Sequence, residues 1–293
     1  MREKTTHEYY ERHNTQQLRE EKKFVFVACE GARTEPKYLS HLCSAKKRSY
    51  VRFLKSPFSN PLQIMELVLE TLENKRMDYT PFSIANAILN TTKIDEESGK
   101  KILSFSQRIA SKYGLKDTDI VSDELMPTFF NTLIGKLGKD ISAKITIEKI
   151  KQDHMIDTLF DEVYLVSDRD ASSYTDEQCK EVIRLCEENN IHYVLTNPCI
   201  EFFFLLHWTN CSQYNRSILK ANRKIGKRTF VHFELCKYDP NYGKKSFKCD
   251  TYYGRYNVAK NNSLNFASSL DKLINDVGSN FFELVDLIIE RDE

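Results

Sequence analysis

The hydrophobic pattern of the chain begins late. Residues 1–22 are polar and charged with few aliphatics, which predicts a tail outside the core. The run Phe24-Val25-Phe26-Val27-Ala28-Cys29 is then continuously apolar and β-prone, the signature of a central parallel strand covered on both faces, and it stops at Glu30-Gly31. Thr34 and Pro36 suit a helix start, with Tyr38, Leu39 and Leu42 as its apolar face. Val51–Leu54 reads as a second strand, and Asn60-Pro61 opens a helix whose Met65, Val68, Leu69 and Leu72 fall at i, i+3, i+4 and i+7.

From residue 78 to 157 this βα rhythm breaks, and Phe129, Phe130, Leu133, Ile134 and Leu137 recur at helical spacing among many charges. So long and periodic a stretch predicts a mostly helical insertion rather than a loop. The sheet resumes at Val163–Val166 and ends at Ser167-Asp168-Arg169-Asp170. Thr175 and Gln178 form a capping box before a helix marked by Cys179, Val182, Ile183 and Cys186. Ile191–Leu195 reads as another strand, and Asn197-Pro198 precedes a helix over Cys199–Trp208 that is apolar nearly all round. A last strand near Phe230–Leu235 and helices over Leu264–Ile274 and Phe281–Ile289 complete the reading. The fold class is α/β: a Rossmannoid build with a central, mainly parallel sheet flanked by helices. Its divisions are a tail (1–22), a first core part (23–77), the helical insertion (78–157) and a second core part with C-terminal helices (158–293).

Composition narrows the function classes. At 293 residues the chain buries enough core to need no crosslinks, and its eight cysteines are scattered without metal-ligand spacing. They read as reduced thiols of a cytoplasmic protein. No stretch approaches the roughly 20 apolar residues of a membrane span, and the charged start resembles neither a signal peptide nor an anchor. Net charge is only +1, so phosphate binding must come from local clusters.

The candidate chemistry lies at strand ends. In open parallel sheets ligands bind outside the carboxyl edge, where Glu30, Asp168 and Asp170 all fall. Three acids gathered there repel one another unless a cation compensates them, and Mg²⁺ (or Mn²⁺) accepts a few carboxylate oxygens while keeping sites for water or phosphate. A lone DxD is common and an acid at a strand end is often a solvated turn residue. The pairing of Glu-Gly after the first strand with DxD after a later one is what points to a metal. Such a site suits phosphodiester cleavage.

Three motifs in order, CEGARTEPKYL (29–39), VYLVSDRDA (163–171) and TNPCIEFFFLLHW (196–208), resemble those of the RloB family, part of the Toprim superfamily. The resemblance covers about residues 24–77 and 160–260 and implies a Toprim-like fold in which Glu30 corresponds to the family glutamate and Asp168 and Asp170 to the DxD metal ligands. The insertion looks longer than usual for the family. The resemblance further implies a nuclease acting on tRNA or DNA in anti-phage defence (abortive infection), controlled by a partner ABC-type ATPase, and leaves a homo-oligomer open.

Around these acids, Arg33 at a helix start is a phosphate-binding candidate and Glu35 a further metal ligand, although acids favour first turns anyway. Glu201, followed by Phe202, Phe203 and Phe204, is costly to bury without a partner such as a metal or a basic residue; it is read as catalytic, helped by the resemblance, against the alternative of an acid exposed at the helix mouth. Asn197 is most simply a helix cap, with substrate binding as its functional reading. His192 and His207 read as structural. The stretch 237–256 interleaves Lys244, Lys245, Lys248 and Arg255 with Tyr238, Tyr242, Phe247, Tyr252, Tyr253 and Tyr256, as a nucleic-acid groove would, against the alternative of a loop with packed tyrosines. Lys244 is the candidate transition-state contact, and Lys245 and Arg255 are substrate-binding candidates. Competing readings are a non-catalytic nucleic-acid- or nucleotide-binding module in a defence complex, and a phosphatase or nucleotidyl-transfer enzyme. The insertion is expected to dock a partner or nucleic acid.

Overall fold

The computed structural model describes residues 24–31, 33–46, 50–54, 58, 60–73, 78–92, 96–117, 119–136, 147, 155–157, 160–170, 174–244 and 246–290, without the side chains of 86 and 89–100. The tail (1–22), Leu137 and Lys245 lie outside the described residues. The apolar run after the tail forms β1 (Val25–Cys29), buried at every position because neighbours cover both its edges and both its faces. It leads through α1 (Thr34–Ala45) to β2 (Val51–Leu54) and α2 (Pro61–Glu73), whose start is capped by Asn60 accepting from the Leu62 amide at 2.9 Å. Among the described residues of 78–157 the chain forms α3 (Pro81–Thr92), α4 (Glu96–Lys112) and α5 (Met126–Ile134). Ile84, Ile88, Ile102, Phe129 and Leu133 give them a hydrophobic cluster of their own.

The sheet then continues with β3 (Glu162–Asp168), α6 (Asp176–Glu188) and β4 (His192–Asn197). The Thr175–Gln178 capping box forms as the sequence indicates. After β4 come α7 (Ile200–Leu206), α8 (Arg216–Ala221), a small hairpin of β5 (Lys224–Ile225) and β6 (Arg228–Thr229), α9 (Phe230–Tyr238), α10 (Cys249–Tyr253), α11 (Tyr256–Ser263), α12 (Leu270–Leu273), β7 (Gly278–Ser279) and α13 (Phe281–Glu290).

Strand order in the main sheet is β2-β1-β3-β4-β7, parallel except for β7. The chain leaves β1 toward one edge and leaves β3 toward the other, so the topological switch point lies between these neighbouring strands. Helices α2 and α6 cover one face, where Cys186 Sγ meets Met65 Sδ at 3.8 Å. On the opposite side Tyr38 of α1, Phe203 and Phe204 of α7 and Phe281 of α13 pack edge-on or tilted with ring centroids 4.9–6.5 Å apart.

Two sequence expectations change. The segment 230–235 is helical, not a strand. Its Val231 and Leu235 sit at i and i+4 and are buried with Glu234 in the same turn, so one helix face serves the contact with α7 that a strand would split. The helix expected over 264–274 breaks up: Leu264 is 80% exposed, and Ala267 instead bonds to Val277 and Ser279 as a short edge to β7. Strand β7, two residues long, has too little sequence for a periodic signal.

Candidate active-site cavity

The carboxyl ends of β1 and β3 define the site. Because β1 and β3 are in register (Cys29 beside Val166), the residues just past them meet, and the Asp168 amide donates to Glu30 Oε2 at 3.0 Å. Asp168 in turn accepts from the Ile200 amide at 2.8 Å through Oδ1, so the first turn of α7 holds that carboxyl in place. A cavity of about 360 Å³ opens here, lined by Glu30, Gly31, Arg33, Thr34, Glu35, Asp168, Ile200 and Lys244.

Gly31 permits this packing. A Cβ on it would lie 2.0 Å from Glu35 Oε2, so the Glu35 carboxyl folds back into space that any other residue would fill. The short loop between β1 and α1 therefore delivers two acids, Glu30 and Glu35, to one place. Glu35 is 3% exposed. Burial, with the nearby Glu201 charge adding, pushes its pKa up to about 7, while Lys244 offsets part of the rise. Glu30 also rises to about 7, first through burial and then through Glu35 and Asp170, opposed by the Asp168 amide bond and Lys244. Asp168 is raised well above its ordinary value by burial, and by Glu35, Glu30 and Glu201. The site gathers acids that repel one another, Glu35 buried and Glu30 and Asp168 half-buried beside it.

One cation answers them from the loop after α9. Lys244 Nζ stands 3.4 Å from Glu201 Oε1 and its pKa is raised, chiefly by that carboxylate. Glu201 is 2% exposed; its Oε1 forms no hydrogen bond among the described residues, and His232 Nδ1 is 3.8 Å away. His232 carries no signal in the sequence, because it sits in the segment 230–235 whose pattern reads as a strand. With α9 helical, its first turn brings this side chain to Glu201.

The predicted site residues thus divide. Glu30, Glu35, Asp168, Arg33 and Lys244 meet at the cavity, with Glu201 directly behind Lys244. Asp170 is exposed at the rim and is not among the lining residues, though close enough to act on Glu30. The strand ends at Asp168, so the alternation that would aim both DxD acids the same way stops there. Between them Arg169 turns inward, 2% exposed, and donates to Asp176 and the Tyr174 carbonyl.

Asn197 faces elsewhere: its Nδ2 donates to Leu273 O at 2.8 Å, and Cys199, not Asn197, is the N-cap residue of α7. Arg255 donates to His207 O at 2.8 Å and lies over the Trp208 ring, away from the lining residues. The aromatic groove is also corrected. Tyr242, Phe247 and Tyr252 are buried around Phe204 at 4.8–5.9 Å and Tyr256 is buried against Phe282, so four of its six rings are core. They cover the phenylalanine-rich surface of α7 and its neighbours, which outweighs the loop position that sequence gives them. His207, fully buried with its pKa lowered to about 3 by that burial, is a neutral structural residue whose Nδ1 meets Phe203 O at 2.9 Å. His192 stacks on Tyr164 at 4.6 Å.

The donor chemistry of the cavity fits a hard divalent ion: Glu30, Glu35 and Asp168 offer carboxylate oxygens, with Arg33 and Lys244 as the cations that line it. Among the described residues, no three His, Cys, Asp or Glu side chains already stand grouped as metal ligands. Nor is any helix among them long and apolar enough to cross a membrane.

A family model described as RloB-like protein matches residues 25–288, nearly the whole chain. No curated protein and no solved structure gives a significant match.

Proposed function

The chain belongs to the RloB-like protein family, and from that membership and the acid cavity we propose that it is a metal-dependent nuclease of the Toprim type, hydrolysing phosphodiester bonds of RNA such as tRNA, or of DNA. In this reading it is a toxic effector in anti-phage defence, held in check by a partner ABC-type ATPase. The resemblance of its three motifs supports the biological setting.

The observation that carries the chemistry is the meeting of Glu30 and Asp168 at the switch point of the sheet, in one cavity with Glu35, Arg33 and Lys244. Glu30, Asp168 and Glu35, with Asp170 from the rim, would hold Mg²⁺ or Mn²⁺. A bound divalent ion supplies a Lewis acid for a phosphoryl oxygen and lowers the pKa of water. The chain's own cations take the substrate: Arg33 at the head of α1 and Lys244 in the cavity offer charge-assisted bonds to phosphate oxygens. Glu201 holds the Lys244 ammonium in position, and the Ile200 amide fixes one Asp168 oxygen.

Asp168→Asn tests the proposal, since the amide oxygen still accepts from Ile200 and the fold is kept. Purified wild type is expected to cut labelled tRNA or DNA only with Mg²⁺ or Mn²⁺, and the variant to lose at least ~10²-fold in rate, as removal of a transition-state electrostatic interaction does. Undiminished cleavage by a folded Asp168→Asn chain would overturn it. If neither protein cuts and both bind nucleic acid equally, the chain is a non-catalytic binding module.

A further inference from the structure

Residues 223–228, Arg-Lys-Ile-Gly-Lys-Arg, belong to none of the candidate sites above. In the structure all six are exposed, and they form the β5–β6 hairpin, with Lys224 paired to Thr229 and Ile225 to Arg228. Gly226 takes a φ of 62° at the first central position of the two-residue turn, where tight hairpins favour glycine. Four cations and no acid thus occupy one short loop of a protein whose whole net charge is +1. Arg223, Lys224, Lys227 and Arg228 form no ion pair among the described residues, unlike Arg184, Arg216 and Lys260.

A two-stranded hairpin alone is marginal in water, but this one is fixed at its root. The Phe230 amide donates to Arg223 O at 2.9 Å. Asn222, at a φ of 41°, accepts from the Val231 amide through Oδ1 and donates through Nδ2 to Cys199 Sγ at 3.3 Å. Cys199 immediately precedes Ile200, which lines the cavity and binds Asp168. Just past the hairpin, His232 approaches Glu201, and the Arg228 charge reaches His232. The hairpin therefore stands at the side of the acid cavity to which α7 and α9 lead.

We propose that the β5–β6 hairpin is a nucleic-acid clamp, in which Arg223, Lys224, Lys227 and Arg228 grip backbone phosphates of the strand whose scissile group enters the cavity. The inference rests on the phosphodiesterase reading for the direction of the strand. Unpaired, exposed cations release phosphate counterions on contact, which gives sequence-independent affinity. Ile225, 43% exposed beside Arg228, is an apolar tip that fits against a base or sugar. A membrane surface fits less well, because interfacial binding needs a broad apolar face and the hairpin offers one aliphatic side chain.

The test measures binding of the full chain to a labelled 20-base-pair DNA duplex and to an RNA stem-loop in EDTA, by anisotropy across a salt series. Wild type, Lys224→Ala/Lys227→Ala, the four-cation alanine variant and an equal-charge control, Lys180→Ala/Lys272→Ala, are compared after their folding is checked by circular dichroism. The double variant is expected to weaken binding about tenfold and to flatten the slope of log K against log salt on duplex by about 1.8, at roughly 0.9 for each phosphate no longer neutralised; the control should match wild type. An unchanged slope in the four-cation variant, or equal weakening in the control, would overturn the clamp, as would wild type binding neither nucleic acid. Because binding is read without metal, normal clamp behaviour in a protein that never cuts would instead count against the phosphodiesterase reading alone.

Discussion

Replacing Glu35 by glutamine should stabilise this protein at alkaline pH while impairing its proposed metal site. In the fold Glu35 keeps its proton until about pH 7, whereas an unfolded glutamate loses it near 4.5. The native state thus binds more protons than the unfolded state between these values, and stability drains away as pH rises through that window. At about 1.4 kcal/mol per pH unit, the ionised group costs up to ~3 kcal/mol above pH 7. Repulsion shared with Glu30, Asp168 and Glu201 makes roughly 1–3 kcal/mol the realistic gain from Gln, which copies the shape of the protonated acid next to Gly31. For a chain of this size that corresponds to a Tm higher by about 2–10 °C at pH 8. At pH 5, where the native Glu35 is protonated, the two proteins should melt within about 2 °C of each other. The assay is thermal unfolding from pH 5 to 8, with and without millimolar Mg²⁺. Mg²⁺ is expected to raise the wild-type Tm at pH 8, by mass action on the native state, and to do less for the variant. A difference between variant and wild type that stays constant from pH 5 to 8 would refute the reasoning, because it would mean that Glu35 does not titrate within that window.

Further outcomes follow from other contacts. Lys244→Met removes the cation 3.4 Å from Glu201 and should cost about 1–2 kcal/mol at pH 8 in urea unfolding, less at pH 5 where the cavity acids carry protons. Gly31→Ala places a methyl on the Glu35 carboxyl; calorimetric Mn²⁺ titration should show affinity down at least tenfold, and wild-type affinity would mean that Glu35 is not needed there. Arg169→Met leaves Asp176 and the Tyr174 carbonyl without their donor and should lower stability by about 2 kcal/mol, read as a Tm drop of roughly 4–8 °C.

The sequence alone determined which segments become the central strands, because β1, β3 and β4 are buried runs whose apolar continuity only a parallel sheet covered on both faces accommodates. It also determined that Glu30 and Asp168 share an edge, since each acid directly ends such a run. Period fails where elements are short or all-apolar. Residues 230–235 read as a strand and fold as a helix, and β7 spans two residues. Only tertiary structure decided which acids face the cavity. Asp170 stays at the rim because β3 ends at Asp168, two residues too early for strand alternation to carry it inward, whereas Glu35 enters because Gly31 leaves room for its carboxyl. Likewise the tyrosines of 242–256 are drawn into the core by the bare hydrophobic surface of α7, while the basic hairpin beside them, with nothing apolar to bury but Ile225, remains in solvent. Burial on this chain is decided by what lies across a gap, and a linear pattern does not record distances between segments far apart in sequence.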